Sequence, residues 1–151
     1  MKANELMIFD LVRRKKDNRT MIVVEVGYDE NIGAITTDDR YYGDYEDYHE
    51  SEVGPILLTP EILEKNGFVR VERGEICTCY RWREKSDKIY GRLVDIHLYK
   101  EPIQGVFTLI EIETCSNKGD GLNRFHSCDT DYVHELQHAL RICGIGKEIV
   151  L

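Results

Sequence analysis

Short apolar runs separated by charged turns dominate the first part of the chain. Residues 6–12 and 20–26 are rich in aliphatic and β-branched side chains, and a strongly polar stretch lies between them. Two β-prone runs around a polar turn predict a hairpin, and residues 32–37 predict a third strand. Several short strands at this spacing indicate a small β-barrel of the SH3-like kind.

A short helix is marked by local signals that begin at Thr59. This residue suits the N-cap, Pro60 suits the first helical position, and Asn66-Gly67 can take the left-handed conformation that ends many helices. A helix of barely two turns is not stable alone in water. We therefore expect its apolar side chains to pack against the sheet that follows.

Apolar and polar residues then alternate with a period of two. This pattern predicts antiparallel strands over residues 68–71, 76–84, 89–99 and 106–114. The short turns between these segments are typical of a meander with one face covered. Residues 116–121 are predicted to form a loop, and residues 147–151 a last short strand.

The clearest helical pattern runs over residues 129–144, with polar capping residues at its start and Gly144 at its end. Its apolar stripe, at about 100° per residue, comprises Val133, Leu136, Leu140 and Cys143. The predicted fold class is α+β. An SH3-like β lobe over residues 1–57 precedes a lobe over 58–151 with a short helix, an antiparallel β-meander and a C-terminal amphipathic helix. The two lobes could also share one core.

Composition and charge narrow the class of protein. The 151 residues include 28 acids and 20 bases, for a net charge of −8, which disfavours general affinity for nucleic acid. No apolar run approaches the ~20 residues that span a membrane. The N-terminus lacks a signal-peptide core, so we expect a cytoplasmic protein without membrane association. Its five cysteines lack Cys-x-x-Cys spacing and are predicted to be free thiols.

The predicted C-terminal helix contains the His-Glu-x-x-His pattern of zinc hydrolases, formed by His134, Glu135 and His138. Histidines four residues apart share a helical face and can reach one zinc ion, and the glutamate can act as general base for a zinc-bound water. A zinc-dependent hydrolase is therefore one functional alternative, with zinc as its cofactor, both histidines as ligands and Glu135 as the base.

Three features weigh against this alternative. Arg141 stands where the metzincin pattern requires glycine, so no third ligand is evident. His134 and His138 point roughly 140–180° away from the apolar stripe, which predicts a solvent-facing position unless the N-terminal lobe covers them. A chain built mostly of strands also leaves little room for a substrate cleft. We interpret the segment as a packing helix and assign no catalytic residue, metal ligand or cofactor.

Two charged segments suggest further alternatives. A basic group crowds the first predicted hairpin loop and comprises Arg13, Arg14, Lys15, Lys16 and Arg19. A second basic group lies on the central sheet beside Tyr80 and Trp82, as in surfaces that stack single-stranded nucleic acid, and comprises Arg70, Arg73, Arg81, Arg83, Lys85, Lys88 and Arg92. Nucleic-acid binding is thus a second alternative, which the net charge disfavours.

Residues 38–52 hold seven acids and four tyrosines without calcium-loop spacing, and predict a solvated loop or edge strand.

Three segments resemble a family of small proteins from Bacteroidetes and their phages or mobile elements: residues 5–12, 55–68 and 132–138. Its members usually read Ile-Gly-Asp where this chain has Ile8-Phe9-Asp10. Tyr-Val-His and Leu-Gln recur among the members in their closing helix. The positions that correspond to Glu135 and His138 more often hold other polar residues. The resemblance implies no particular activity. Together with the patterns above it predicts a non-enzymatic interaction or accessory module with a protein partner.

Overall fold

A computed structural model describes residues 1–27, 30–36, 46–73, 77–85, 93–100, 107–115, 123–126, 130–142 and 144–151. Within these ranges the fold is α+β, as predicted, with two antiparallel five-stranded sheets and two α-helices. The chain forms two compact units. The first comprises Met1–Leu57 with Tyr132–His138, and the second Leu58–Asp131 with Ala139–Leu151. Neither helix is long and apolar enough to cross a membrane, within the part of the chain described.

The first unit contains a sheet of order β4-β3-β2-β1-β5. Its strands are β1 (Leu11–Arg14), β2 (Thr20–Val26), β3 (Asn31–Thr36), β4 (Glu46–His49) and β5 (Val53–Gly54), after a 3-10 turn at Ala3–Glu5. The predicted hairpin is confirmed, because β1 pairs antiparallel with β2 and Leu11 lies opposite Ile22. Alternate residues of β2 point into a core that includes Val12, Met21, Val23, Ile32 and Val53.

The first strand begins at Leu11 and not near residue 6, as the apolar pattern predicted. Residues 7–10 form a turn instead, in which the Asp10 N–H donates to the Met7 carbonyl at 3.1 Å. Phe9 within it has a φ of 71°. An apolar run does not form a strand where a buried aspartate bonds back to the backbone of its own turn.

The second unit contains helix α1 (Pro60–Lys65) and a sheet of order β10-β9-β8-β7-β6. Its strands are β6 (Val69–Arg73), β7 (Cys77–Lys85), β8 (Leu93–Lys100), β9 (Phe107–Cys115) and β10 (Asn123–His126). The predicted meander is confirmed, whereas β10 was not predicted. Helix α1 has the predicted ends: the Ile62 N–H donates to Thr59 Oγ1 at 3.3 Å, and Gly67 has a φ of 78°.

The chain closes with helix α2 (Val133–Ile142) and an extended tail. The strand predicted at residues 147–151 is wrong. The buried Asn66 side chain takes the place of a neighbouring strand: its Nδ2 donates to the Val150 carbonyl at 2.7 Å, and its Oδ1 accepts from the Val150 N–H at 2.9 Å. One side-chain amide satisfies both backbone groups, so the tail needs no sheet.

Several predictions fall partly or wholly outside the described residues. The acidic segment is described only from Glu46 onward, where it forms the edge strand β4 with Tyr48 buried. The predicted loop at 116–121 and two of the cysteines, Cys128 and Cys143, lie outside. Cys79 is fully buried in the second sheet.

Candidate functional site

Asp10 is the centre of a buried hydrogen-bond network in the first unit. Its side chain is fully buried, and its Oδ2 accepts a hydrogen bond from the Met7 N–H at 2.7 Å. The same oxygen lies 2.6 Å from Nε2 of His138. Its carbonyl accepts from the Val23 N–H at 2.9 Å. A buried carboxylate requires such partners, so Asp10 joins the 7–10 turn to α2 and to strand β2.

The two histidines of α2 lie edge to face behind this turn. Their ring centres are 5.7 Å apart with an interplanar angle of 79°. Tyr132 stacks on His134, at 5.8 Å and 13°. His134 is only 4% exposed, and the His138 side chain is 21% exposed. The two histidines therefore do not both face solvent, and the exception stated with that prediction applies: the N-terminal segment covers this face, and Asp10 supplies a polar partner for it.

Burial sets the protonation of His134. It lowers the pKa of this imidazole, an effect that the nearby Asp10 carboxylate partly opposes. The ring is therefore neutral at pH 7. Its Nδ1 is buried and has no hydrogen-bond partner among the described residues.

Glu135 stabilises the start of α2. Its Oε2 accepts a hydrogen bond from the Tyr132 N–H at 3.0 Å. This is one half of a capping box, in which the side chain at the third helical position satisfies an N–H that the helix leaves unpaired. Its negative charge also complements the positive end of the helix dipole. The residue predicted as a possible general base thus has a structural role.

Gln137 clamps the chain on either side of Asp10. It is 7% exposed; its Oε1 accepts from the Leu11 N–H at 3.1 Å, and its Nε2 donates to the Phe9 carbonyl at 3.3 Å. Sequence reasoning singled out neither Asp10 nor Gln137 as a site residue. Their only signals were an aspartate inside an apolar run and the Asp and Leu-Gln that recur in the resembling family.

The zinc alternative gains no support from this geometry. Within the described residues, no three histidine, cysteine, aspartate or glutamate side chains lie where they could hold one metal ion. His138 already uses Nε2 to contact Asp10, and Glu135 caps the helix. Zinc binding through His134 and His138 stays a prediction.

The basic hairpin loop is partly neutralised by Asp17. Arg14 Nε donates to the Asp17 carboxylate at 2.8 Å and holds the pKa of this carboxyl at about 2. Arg19 lies 3.3 Å from the same carboxylate, and Lys15 donates to the Ser51 carbonyl at 2.7 Å. Arg13 and Lys16 complete the predicted group. Contacts within the protein thus engage three of its five cations.

The aromatic residues of the second basic group do not form an open stacking surface. Tyr80 is 3% exposed and packs edge to face against Phe107. The Lys147 ammonium lies 4.8 Å from the centre of the Trp82 ring, and Phe68 packs against that ring at 6.4 Å. Binding of single strands requires exposed aromatic faces. Nucleic-acid binding stays a prediction without support from these side chains.

An open cleft of about 770 Å³ lies in the first unit, beside the histidines. It is lined by Met1, Asn4, Glu5, Leu6, Met7, Pro55, Tyr132, His134, Glu135 and His138. Apolar side chains and two carboxylates share this surface, and no lysine or arginine is among these lining residues. Its size is within the usual range of ligand sites.

Next to the cleft is an exposed apolar loop, Met7–Phe9. Met7 is 43% exposed, Ile8 50% and Phe9 58%. The Phe9 N–H donates to the Val23 carbonyl at 2.7 Å, and the residue has the left-handed φ of 71°. This conformation costs a non-glycine residue roughly 1–2 kcal/mol. The loop is therefore both strained and held in place by the hydrogen bonds of Asp10 and Gln137.

Comparison with known protein families, with curated proteins and with solved structures found no match for this chain. Its function therefore has to be inferred from three features of the first unit: the apolar loop, the cleft beside it and the buried hydrogen bonds that hold both.

Proposed function

We propose that this protein is a non-enzymatic interaction module that binds a protein partner through the apolar loop Met7–Phe9. One observation carries the proposal. Three consecutive apolar side chains, 43%, 50% and 58% exposed, lie on a backbone that buried hydrogen bonds hold in a strained conformation. Contiguous exposed apolar side chains mark interaction sites, and backbone strain tends to occur at functional sites.

The energetics favour a binding role. If the loop had no function, a conformation that buries Phe9 would give the folded protein a lower free energy. A glycine at position 9 would likewise remove the cost of the left-handed φ. Asp10 and Gln137 instead hold the backbone, so that the three side chains point outward in one arrangement. A surface that is already ordered loses little entropy on binding, and an aromatic side chain at its tip is a typical energetic hot spot.

Further parts of the proposal rest on the sequence. They are a cytoplasmic location, an SH3-like arrangement of the first unit, and an origin in Bacteroidetes or their mobile elements. The hydrogen-bonding positions behind the loop support the link to the resembling family, because Asp10, His134 and Gln137 fall where its motifs recur. Phe9 stands where that family has glycine, and its left-handed φ is the conformation that glycine favours.

Photo-crosslinking in the organism that encodes the protein tests this proposal. A benzophenone amino acid replaces Phe9 in one variant, and Val69 or Val150, which are 64% and 57% exposed, in two controls. We expect position 9 to yield a discrete protein adduct that the controls lack, and the purified partner to bind again in solution.

Ile8→Asp provides the specificity control, since Ile8 is 50% exposed and the substitution leaves the core intact. It should abolish the adduct at position 9 while circular dichroism shows an unchanged fold. Equal adducts at positions 9 and 69, or an adduct that persists in Ile8→Asp, would contradict the proposal.

A further inference from the structure

We infer that Ser51 is a covalent modification site, whose hydroxyl takes an acyl group from an activated thioester. Ser51 contacts His49, and His49 contacts Glu30, where the turn between β4 and β5 meets the start of β3. None of these three residues lines the cleft. The inference therefore concerns a second site of the first unit and does not depend on the proposed binding function.

The serine hydroxyl and the imidazole are in hydrogen-bond contact. Ser51 Oγ lies 2.7 Å from Nδ1 of His49. On the other side of the ring, Nε2 lies 3.3 Å from Oε2 of Glu30. A serine becomes a nucleophile when a general base lies within hydrogen-bond reach and a third group orients that base. The three residues have this arrangement.

The backbone of Ser51 determines which nitrogen of His49 can act as a base. The Ser51 N–H donates to Nδ1 at 3.2 Å, so Nδ1 carries the lone pair of the neutral ring. The proton of that ring is then on Nε2, where it faces the Glu30 carboxylate. A carboxylate favours this tautomer, because it accepts the Nε2 proton. Nδ1 is thus unprotonated beside the hydroxyl whose proton it would take.

Backbone hydrogen bonds hold the turn in this shape. The His49 N–H donates to the Glu52 carboxylate at 2.9 Å, and the Glu52 N–H donates to the His49 carbonyl at 2.8 Å. The Glu50 N–H donates to the Glu30 carbonyl at 2.9 Å, which fixes the backbone of Glu30 beside this turn. A nucleophile and a base that are already held at contact distance lose little freedom when they react.

All three side chains are accessible to a reagent. The side chain of His49 is 50% exposed and that of Glu30 is 67% exposed, and Ser51 is exposed as well. Water and salt screen the charge of an exposed carboxylate. Glu30 therefore acts mainly by fixing the tautomer and orientation of the ring. We assign His49 as the general base and Glu30 as a positioning residue.

The reaction is the transfer of one acyl group. Ser51 Oγ forms a bond to the carbonyl carbon of the thioester, and the hydroxyl proton moves to Nδ1 of His49. The carbon–sulfur bond breaks, the sulfur leaves as a thiolate, and His49 returns its proton to the thiolate or to water. Because a thiol has a pKa of about 8.5, its anion leaves without help from an acid. The acyl group stays on Ser51, so the reaction is a single modification without turnover.

Acetylation of the purified protein by S-acetyl-N-acetylcysteamine at mildly alkaline pH tests the inference. Peptide mass spectrometry follows the acetyl group at Ser51, and fragment spectra separate it from acetylated lysines. Nα-acetylserine methylamide in the same solution provides the reference hydroxyl. General-base catalysis contributes on the order of 100-fold or more, so Ser51 should react roughly 100-fold faster than the reference.

Three variants separate the roles of the residues. His49→Gln removes the base and should slow acetylation of Ser51 by roughly 100-fold. Glu30→Gln should slow it by about threefold to fivefold. It should also lower the share of the tautomer with the proton on Nε2, which the nitrogen-15 shifts of the imidazole measure. Glu52→Gln is the matched control, because Glu52 accepts the backbone N–H of His49. It should change neither the rate nor the tautomer.

Each outcome bears on the inference. A rate at Ser51 equal to that of the reference hydroxyl, or one that His49→Gln leaves unchanged, overturns it. An unchanged tautomer in Glu30→Gln overturns the positioning role of Glu30. If Ser51 is not acetylated while the crosslinked adduct at position 9 persists, the modification site is wrong and the proposed interaction function stands.

Discussion

The two helices differ in what determines their positions. The ends of helix α1 are set by residues adjacent to it in sequence: Thr59 caps its start, and Gly67 ends it with a left-handed φ. Helix α2 is defined by partners far along the chain. His138 contacts Asp10 across 128 residues, and Gln137 reaches Leu11 across 126.

This difference shows what a helical pattern does and does not reveal. Caps and turn residues act over three or four positions, so they can be read from the sequence directly. Which face of a helix is buried depends on the rest of the fold. The polar face of α2 is buried because Asp10 and the backbone near it supply hydrogen-bond partners.

The largest effect expected from this contrast is that of Asp10→Ala. The variant leaves the Met7 N–H and His138 without their partner, and loss of a buried charged partner should lower the free energy of unfolding by roughly 3 kcal/mol. Thr59→Ala, which removes only the local cap of α1, should cost about 1 kcal/mol. Urea denaturation measures both. An equal loss of unfolding free energy in the two variants would contradict the view that α2 depends on distant partners more than α1 depends on its local cap.

Gln137→Ala tests the second long-range partner. It removes a donor and an acceptor that satisfy backbone groups of Phe9 and Leu11, so we expect a loss of roughly 2 kcal/mol in the free energy of unfolding. Amide hydrogen exchange should localise the damage, with faster exchange at Leu11 than in α1. Uniform acceleration across both units would contradict a local clamp.

Phe9→Gly should stabilise the protein. Glycine removes the cost of the left-handed φ but adds entropy to the unfolded chain, so the net gain should be roughly 0.5–1 kcal/mol. Ile8→Gly is the matched control, since Ile8 does not have a positive φ and should lose stability. Under the proposed function, Phe9→Gly also weakens partner binding. A variant that loses stability would contradict this expected net gain.

The smallest expected effect concerns pH. Because the pKa of His134 in the folded protein lies below its ordinary value of 6.5, the unfolded chain takes up a proton first as the pH falls. Its contribution to stability is complete above pH 6.5 and is lost below it, by less than about 1.4 kcal/mol per pH unit. His134→Gln should flatten this dependence in urea denaturation.

The sequence predicted those elements whose signals are local. Helix α1, the first hairpin and the meander of the second unit follow from caps, turns and period-two alternation. The strand predicted at 147–151 is wrong because Asn66, 84 residues from Val150, satisfies its backbone. The start of β1 was predicted too early because Asp10 lies in a turn and contacts His138 of α2. No local pattern indicates that contact.

The candidate site was harder to predict for the same reason. The His-Glu-x-x-His pattern drew attention to His134, Glu135 and His138, which do lie beside the cleft. Their contacts in the structure differ from those of a zinc helix, since Glu135 caps α2 and His138 contacts Asp10. Periodicity alone could not indicate this, because it identifies a shared face but not what lies opposite that face.

The membership of Tyr132–His138 in the first unit has a consequence for biosynthesis. A ribosome has to add more than one hundred residues after Leu11 before the side chain of Gln137 exists to bind it. Until then Met7, Ile8 and Phe9 lie in a turn that lacks the hydrogen bonds of Gln137. Contacts of such long sequence separation form late and slow folding. The nascent chain therefore displays this apolar loop before it can hold the loop in its final shape.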